Sequence, residues 1–117
     1  MLDLPIFHKA YDFIIVCSEY TAKFPKKDRY ALGVKIENAS LDFLMLVMRA
    51  NYGSGALREN LLGEASITLD MLKVLVRIAK DKKSIQPNQY FILEERLQDV
   101  GRQLGGWIRF LSTKKPA

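Results

Sequence analysis

The 117-residue sequence has little of the chemistry that a metal or redox site needs. It contains one cysteine and one histidine. A single cysteine excludes a disulfide within the chain, and in a cytosolic protein such a residue is ordinarily a reduced thiol. One histidine and one cysteine cannot supply the usual zinc ligand sets, and no Glu-x-x-His pair indicates a di-iron bundle. We therefore expect neither a metal nor a cofactor.

Signals for catalysis are also scarce. His8 is the only candidate general base, and no local motif marks a nucleophile for it. We interpret His8 as a solvated residue of the first helix and Cys17 as a packing residue on that helix's apolar stripe. The segment Gly53-Ser-Gly55 lacks the lysine and the preceding strand of a phosphate-binding loop. The sequence predicts a protein that is not an enzyme.

Long apolar runs are missing as well. No stretch of about 20 apolar residues exists, and the first residues lack the basic and then apolar order of a secretion signal. The composition, 49% hydrophobic and 26% charged, is that of a soluble globular protein. We expect a cytoplasmic protein with no membrane partner, folded as a single domain over residues 1–117 with a loose tail at 113–117.

Helical periodicity, in contrast, is present throughout the chain. Apolar residues recur at three- and four-residue steps in four segments, and strand-like alternation is absent. The four predicted helices run from Pro5 to about Lys23, from about Lys27 to Asn51, from about Ala56 to Asp81, and from Pro87 to about Ser112. Because each connection is only a few residues long, consecutive helices should be antiparallel neighbours. The predicted fold is an all-α, up-down-up-down four-helix bundle.

The second and third predicted helices are too apolar for an isolated bundle. The apolar residues between Leu41 and Met48, and those between Ile67 and Ile78, wrap most of the helix circumference. A helix that is apolar all round tends to be buried on more than one side. We infer a homo-oligomer whose interface these helices supply. The alternative is a monomer with scattered exposed apolar residues.

Positive charge is concentrated in two of the connections. In an antiparallel bundle, the turn between the first two helices lies at the same end as the turn between the last two. These turns hold seven of the 18 basic residues but two of the 13 acidic ones, so the formal excess of +5 lies at that end. The basic residues are Lys23, Lys26, Lys27, Arg29, Lys80, Lys82 and Lys83, and the acidic ones are Asp28 and Asp81. Such a surface favours polyanions or acidic protein surfaces.

Further basic residues share one face of the third helix and one strip of the fourth. The first set could follow a phosphate backbone, and the second faces water or an anionic partner. The first set is Lys73, Arg77 and Lys80, and the second is Arg102 and Arg109.

The same charges allow a plainer interpretation. At helical spacing Asp70 can pair with Lys73, and Asp81 with Arg77. Acidic residues early in a helix and basic residues late in it also complement the helix dipole. From charge alone, polyanion binding and internal pairing are equally open.

The last helix carries small residues beside its apolar stripe. Gly101 and Gly105 lie four positions apart on one strip. Glycine inside a helix costs about 1 kcal/mol relative to alanine, so the pair suggests that another backbone comes close there. Trp107 falls at core spacing, and we expect it to anchor the core rather than stack on bases.

These features together resemble a known family. The chain resembles Avd, the accessory variability determinant of diversity-generating retroelements, in Val100-Gly-Arg-Gln-Leu-Gly-Gly-Trp-Ile-Arg109, in Lys73-Val-Leu-Val-Arg77, and in helix starts at Pro25 and Pro87. The similarity spans almost the full chain. It implies a basic, barrel-shaped pentamer of four-helix bundles that binds the retroelement's reverse transcriptase and RNA or DNA. Such a protein supports mutagenic cDNA synthesis and catalyses nothing itself.

The resemblance also ranks the candidate residues. Lys73 and Arg77 match the family's basic positions on the third helix, although lysine at 73 replaces the expected arginine and loses bidentate phosphate geometry. Arg102 and Arg109 match the basic positions around the Gly-Gly-Trp element, with packing or subunit contact as their alternative role. The segment 41–53 lacks the polar Ser-Ile-Pro-Ala-Asn-Ile-Ala-Glu-Gly-like element of related proteins encoded in ribosomal RNA intervening sequences. The alternative function is a structural or protein-interaction four-helix bundle with no nucleic-acid role.

Overall fold

Four helical rods account for most of residues 4–114, the part of the chain that the computed structural model describes. Helix α1 covers Pro5–Thr21. Helix α2 is continuous and has three parts: Lys26–Asp28, a π-helical turn at Arg29–Gly33, and Val34–Tyr52. Helices α3 and α4 cover Gly55–Asp81 and Pro87–Thr113. The predicted boundaries are confirmed to within two residues. Thr113, predicted to begin the loose tail, instead ends α4, and residues 115–117 of that tail lie outside the described residues.

The helices form a ring of neighbours. Each packs on the next along the chain, α1 closes the ring against α4, and the contact between α2 and α3 is the most extensive. The resulting rod measures 52 × 24 × 22 Å. No strand occurs in residues 4–114. The predicted all-α, up-down-up-down bundle is confirmed.

The core runs along the axis of the rod and draws on all four helices. Cys17 of α1, Phe43 of α2, Leu72 of α3 and Leu97 of α4 are each exposed by 2% or less. They belong to one cluster of buried apolar side chains, as helical spacing of the apolar positions requires. Trp107 is only partly buried and packs against the edge of that cluster.

The α2–α3 turn is fixed by an arginine rather than by a helix-capping serine. Ser54 precedes α3, but its side chain makes no capping hydrogen bond. Arg58 instead donates from Nε to the carbonyl oxygen of Ala50 at 2.9 Å and from Nη2 to that of Asn51 at 3.1 Å. Both carbonyls belong to the last turn of α2, where helices leave acceptors unsatisfied. Arg58 therefore joins the ends of α2 and α3.

Candidate functional site

The two basic turns meet at one end of the bundle, as the antiparallel arrangement predicts. Nζ of Lys82, after α3, lies 2.9 Å from Oδ1 of Asp28 at the start of α2, and Oγ of Ser84 donates to Asp28 Oδ2 at 2.8 Å. The second contact joins residues 56 positions apart. The basic end is thus one surface formed by both turns, and its cations are Lys23, Lys26, Lys27, Arg29, Lys80, Lys82 and Lys83.

Asp28 is an internal anchor of this end rather than a surface charge. Its side chain is 2% exposed, whereas that of Lys82 is 49% exposed. The hydrogen bond from Lys82, followed by that from Ser84, lowers the pKa of the Asp28 carboxyl below its usual value. Sequence reasoning counted Asp28 among the acids that offset the surface charge. One sequence feature could have indicated a structural role for Asp28. It follows Pro25 in the first turn of a helix, where a carboxylate complements the helix dipole.

Loss of this anchor should destabilise the bundle. We expect Lys82→Ala to lower the melting temperature by about 4 °C or more, because it leaves a buried carboxylate without its cation. Lys26→Ala is the matched control, since Lys26 is exposed at the same end and pairs with no described carboxylate. Thermal unfolding followed by circular dichroism measures both. If Lys82→Ala and Lys26→Ala have equal melting temperatures at pH 7, the Asp28–Lys82 pair contributes nothing to the stability of the bundle.

The stabilisation by the Asp28–Lys82 pair should decrease at low pH. The folded pKa of Asp28 is depressed, so the stabilisation is complete above the unfolded value of 3.8 and is lost as pH falls through the lower folded value. The difference between wild type and Lys82→Ala should therefore shrink below about pH 4.

On α3, one of the two ion pairs of the plainer interpretation is present. Nε of Arg77 lies 3.4 Å from Oδ2 of Asp81, and both side chains are about 60% exposed. Asp81, and after it Tyr90, raises the pKa of the Arg77 guanidinium. Lys73 makes no such pair with Asp70 in the described structure. Exposed pairs contribute little to stability, so Arg77 can exchange Asp81 for another anion.

Two further basic residues have partners within the chain. The Lys80 ammonium lies over the Tyr90 ring, 4.8 Å from its centre. Arg102 forms an ion pair with Asp99, three positions earlier on α4. These contacts do not remove either cation from solvent: the Arg102 side chain is 67% exposed, and Lys80 is only partly buried.

Most of the predicted site cations remain without an ion pair. Six of the nine have no carboxylate oxygen within 4.0 Å among the residues from 4 to 114. They are Lys26, Lys27, Lys73, Lys80, Lys83 and Arg109. Internal pairing therefore neutralises only a minority of the predicted surface.

Predicted residues from two different helices meet in one groove. The α3–α4 groove, of about 460 Å³, is lined by Asp70 and Lys73 of α3 and by Arg102 and Arg109 of α4, with Gly101 and Gly105 between them. Three cations therefore face one carboxylate. The sequence placed these residues on separate helix faces, and the packing of α3 on α4 brings them together.

The two glycines of this groove do not meet another backbone. A Cβ at Gly101 would touch only the side chains of Leu69 and Lys73, and one at Gly105 would touch only that of Arg109. The close helix approach predicted from these glycines is therefore not found within the described chain. Side chains, two of them cationic, occupy the space instead.

On its other side, α3 carries an exposed apolar stripe, consisting of Ile67, Met71, Val74 and Ile78. Ile67, Met71 and Val74 are 63%, 55% and 59% exposed and line a groove of about 560 Å³ between α2 and α3. Ten of the 14 large apolar side chains exposed in residues 4–114 lie on α2 or α3. The prediction that these helices are apolar on both inner and outer sides is confirmed.

The residues considered for catalysis lie in ordinary structural settings. Burial raises the pKa of the Cys17 thiol to about 12, and the charge of Glu37 adds to the shift. His8 is exposed on α1. Their predicted roles in packing and at the solvated surface are confirmed. Within residues 4–114, no three potential metal-ligand side chains cluster, and no helix has the length and apolar content to cross a bilayer.

These features define a small all-helical bundle with a basic end, a cationic groove and an exposed apolar face. A family model described as bAvd-like matches residues 4–111, nearly the whole chain, and the chain belongs to this family. The resemblance to Avd is thereby confirmed, and the family is one of accessory proteins. A comparison with curated proteins gives no match.

Proposed function

We propose that this protein is the non-catalytic accessory component of a diversity-generating retroelement. In this role it binds the reverse transcriptase and its template RNA or cDNA through basic surface and supports mutagenic reverse transcription in the cytoplasm. Membership of the bAvd-like family supports the retroelement assignment. The observation that carries polyanion binding is the set of six predicted cations that no described carboxylate neutralises.

Three basic residues of α3 lead from the α3–α4 groove to the basic end. Lys73 lies in the groove, Arg77 follows one turn later, and Lys80 reaches the basic end. A nucleic-acid strand lying along this line would exchange condensed counterions for protein cations, which is the main source of sequence-independent affinity. The surface therefore suits a phosphate backbone.

Self-association would strengthen this binding. We propose a homo-oligomer, a pentameric barrel as in the Avd resemblance, with the apolar stripe of α3 and the exposed apolar side chains of α2 in the subunit interface. Five copies of a chain with a charge of +5 would carry about +25 in total. Each copy then needs to supply only weak contacts.

Salt dependence tests polyanion binding directly. For single-stranded RNA, the slope of log affinity against log salt should be about −0.7 per phosphate contact. Lys73→Gln with Arg77→Gln should weaken binding and make this slope less negative by about 1.4, that is, by two contacts. Fluorescence anisotropy with a short labelled RNA over a salt series measures both.

The matched control is Lys9→Gln with Lys114→Gln. Neither residue lines the α3–α4 groove or belongs to the two basic turns, and the net charge changes by the same amount. If the control weakens binding as much as the test variant, binding depends on net charge rather than on this surface.

A structural or protein-interaction bundle with no nucleic-acid role is the second candidate. It is favoured by the three ion pairs within the chain, Arg77–Asp81, Lys82–Asp28 and Arg102–Asp99. It predicts that wild-type protein retains neither RNA nor DNA at low salt. That result would overturn the accessory function proposed above.

A further inference from the structure

The two glycines of the α3–α4 groove leave space that cations occupy. Gly101 and Gly105 lie on successive turns of one strip of α4. A Cβ built on Gly101 would lie 3.5 Å from Cδ2 of Leu69 and 3.9 Å from Nζ of Lys73, and one built on Gly105 would lie 3.3 Å from Nη1 and 4.0 Å from Cζ of Arg109. The Arg109 side chain therefore folds back over Gly105, within a distance that a methyl group at that position would crowd.

The charge balance of this space favours an anion. Lys73 and Arg109 have no carboxylate within 4.0 Å in the described structure, and Asp99 already pairs with Arg102. Asp70 is the one acidic residue of the groove lining. Two cations without partners thus flank a strip of helix that has no side chains.

A phosphate group matches this arrangement. Its oxygens accept charge-assisted hydrogen bonds from ammonium and guanidinium groups, and arginine offers a planar fork of donors. With no side chains at 101 and 105, both cations lie close to the helix, and one phosphate in the groove can accept from each. Ser66 and Gln98, which also line the groove, add neutral donors.

We infer that Gly101 and Gly105 are the floor of a phosphate cradle in which Lys73 and Arg109 hold backbone phosphate of a bound nucleic acid. This inference rests on the proposed function and assigns its phosphate contact to one groove. It gives the glycine pair a role in ligand binding rather than in helix approach.

Filling the cradle without changing its charges is the test. Gly105→Leu places a side chain where Arg109 now lies, and Gly106→Leu is the matched control, because a Cβ at Gly106 meets nothing within 4 Å. We expect Gly105→Leu to weaken binding of a short single-stranded RNA by about tenfold or more and to make the salt slope less negative by about 0.7 to 1.4. Gly106→Leu should bind as wild type does. Circular dichroism and light scattering check that both variants fold and assemble normally.

A second variant keeps the test decisive if Gly105→Leu misfolds. Lys73→Gln with Arg109→Gln should weaken RNA binding by at least the same factor; where Gly105→Leu folds normally, adding it to this pair should have no further effect. If both cradle variants bind RNA as wild type does, or lose only the reverse transcriptase, the inference is overturned while the proposed function stands. If wild-type protein binds neither RNA nor DNA at low salt, the proposed function fails first.

Discussion

Replacing Met71 and Val74 with glutamate should reduce the protein to a single 13.4 kDa particle. Both side chains lie on the apolar stripe of α3, are more than half exposed, and are absent from the core cluster. Their replacement therefore leaves the bundle intact. In a subunit interface, however, the new carboxylates would lose water without gaining a partner, which costs several kcal/mol per ion. Light scattering at high concentration should give a multiple of 13.4 kDa for wild type and the single mass for the variant.

The control uses exposed aromatic side chains outside the proposed interface. Phe91 and Phe110 of α4 are 73% and 55% exposed, so Phe91→Glu with Phe110→Glu adds the same two charges on a different helix. This variant should keep the wild-type mass. A wild-type protein of 13.4 kDa, or a Met71→Glu, Val74→Glu protein that still assembles, would exclude the stripe as the subunit interface.

The fold was predictable because its signals are local. Apolar residues at three- and four-residue steps define each rod, and Pro5 and Pro87 each occupy the first position of a helix. Proline suits that position because it has no N–H, and the N–H of a residue there would have no intrahelical acceptor. The π-helical turn at Arg29–Gly33 was not predicted, because it is a single turn inside a continuous helix and no proline lies within it.

The residues of the candidate site could be predicted from the sequence, but most of their contacts with one another could not. The Arg77–Asp81 pair was expected because it depends on a spacing of four within one helix. The role of Asp28 was not expected, because it depends on Lys82 and Ser84 in a distant turn. The glycines of α4 were assigned to helix approach for the same reason: a sequence shows that space is left at Gly101 and Gly105, not which neighbour fills it.

The second large effect concerns affinity rather than mass. The Met71→Glu, Val74→Glu variant should bind RNA about 100-fold more weakly than wild type, or worse, although every basic residue remains. Charges in solution are screened over about 8 to 10 Å at moderate salt, so separate copies bind one strand independently and each with only its own weak affinity. Within an assembly, binding by one copy raises the local concentration of the next copy's cations around the same RNA. Loss of assembly should therefore remove most of the affinity.

The Phe91→Glu, Phe110→Glu protein separates this effect from simple charge repulsion. It carries the same added negative charge but should remain assembled, so its affinity should fall only slightly below that of wild type in the same anisotropy assay. The two glutamate variants then carry equal added charge and differ in assembly and in the helix that bears the new carboxylates. Should they bind RNA equally well, pooled charge is not the source of affinity, and a single bundle with its α3–α4 groove must account for binding by itself.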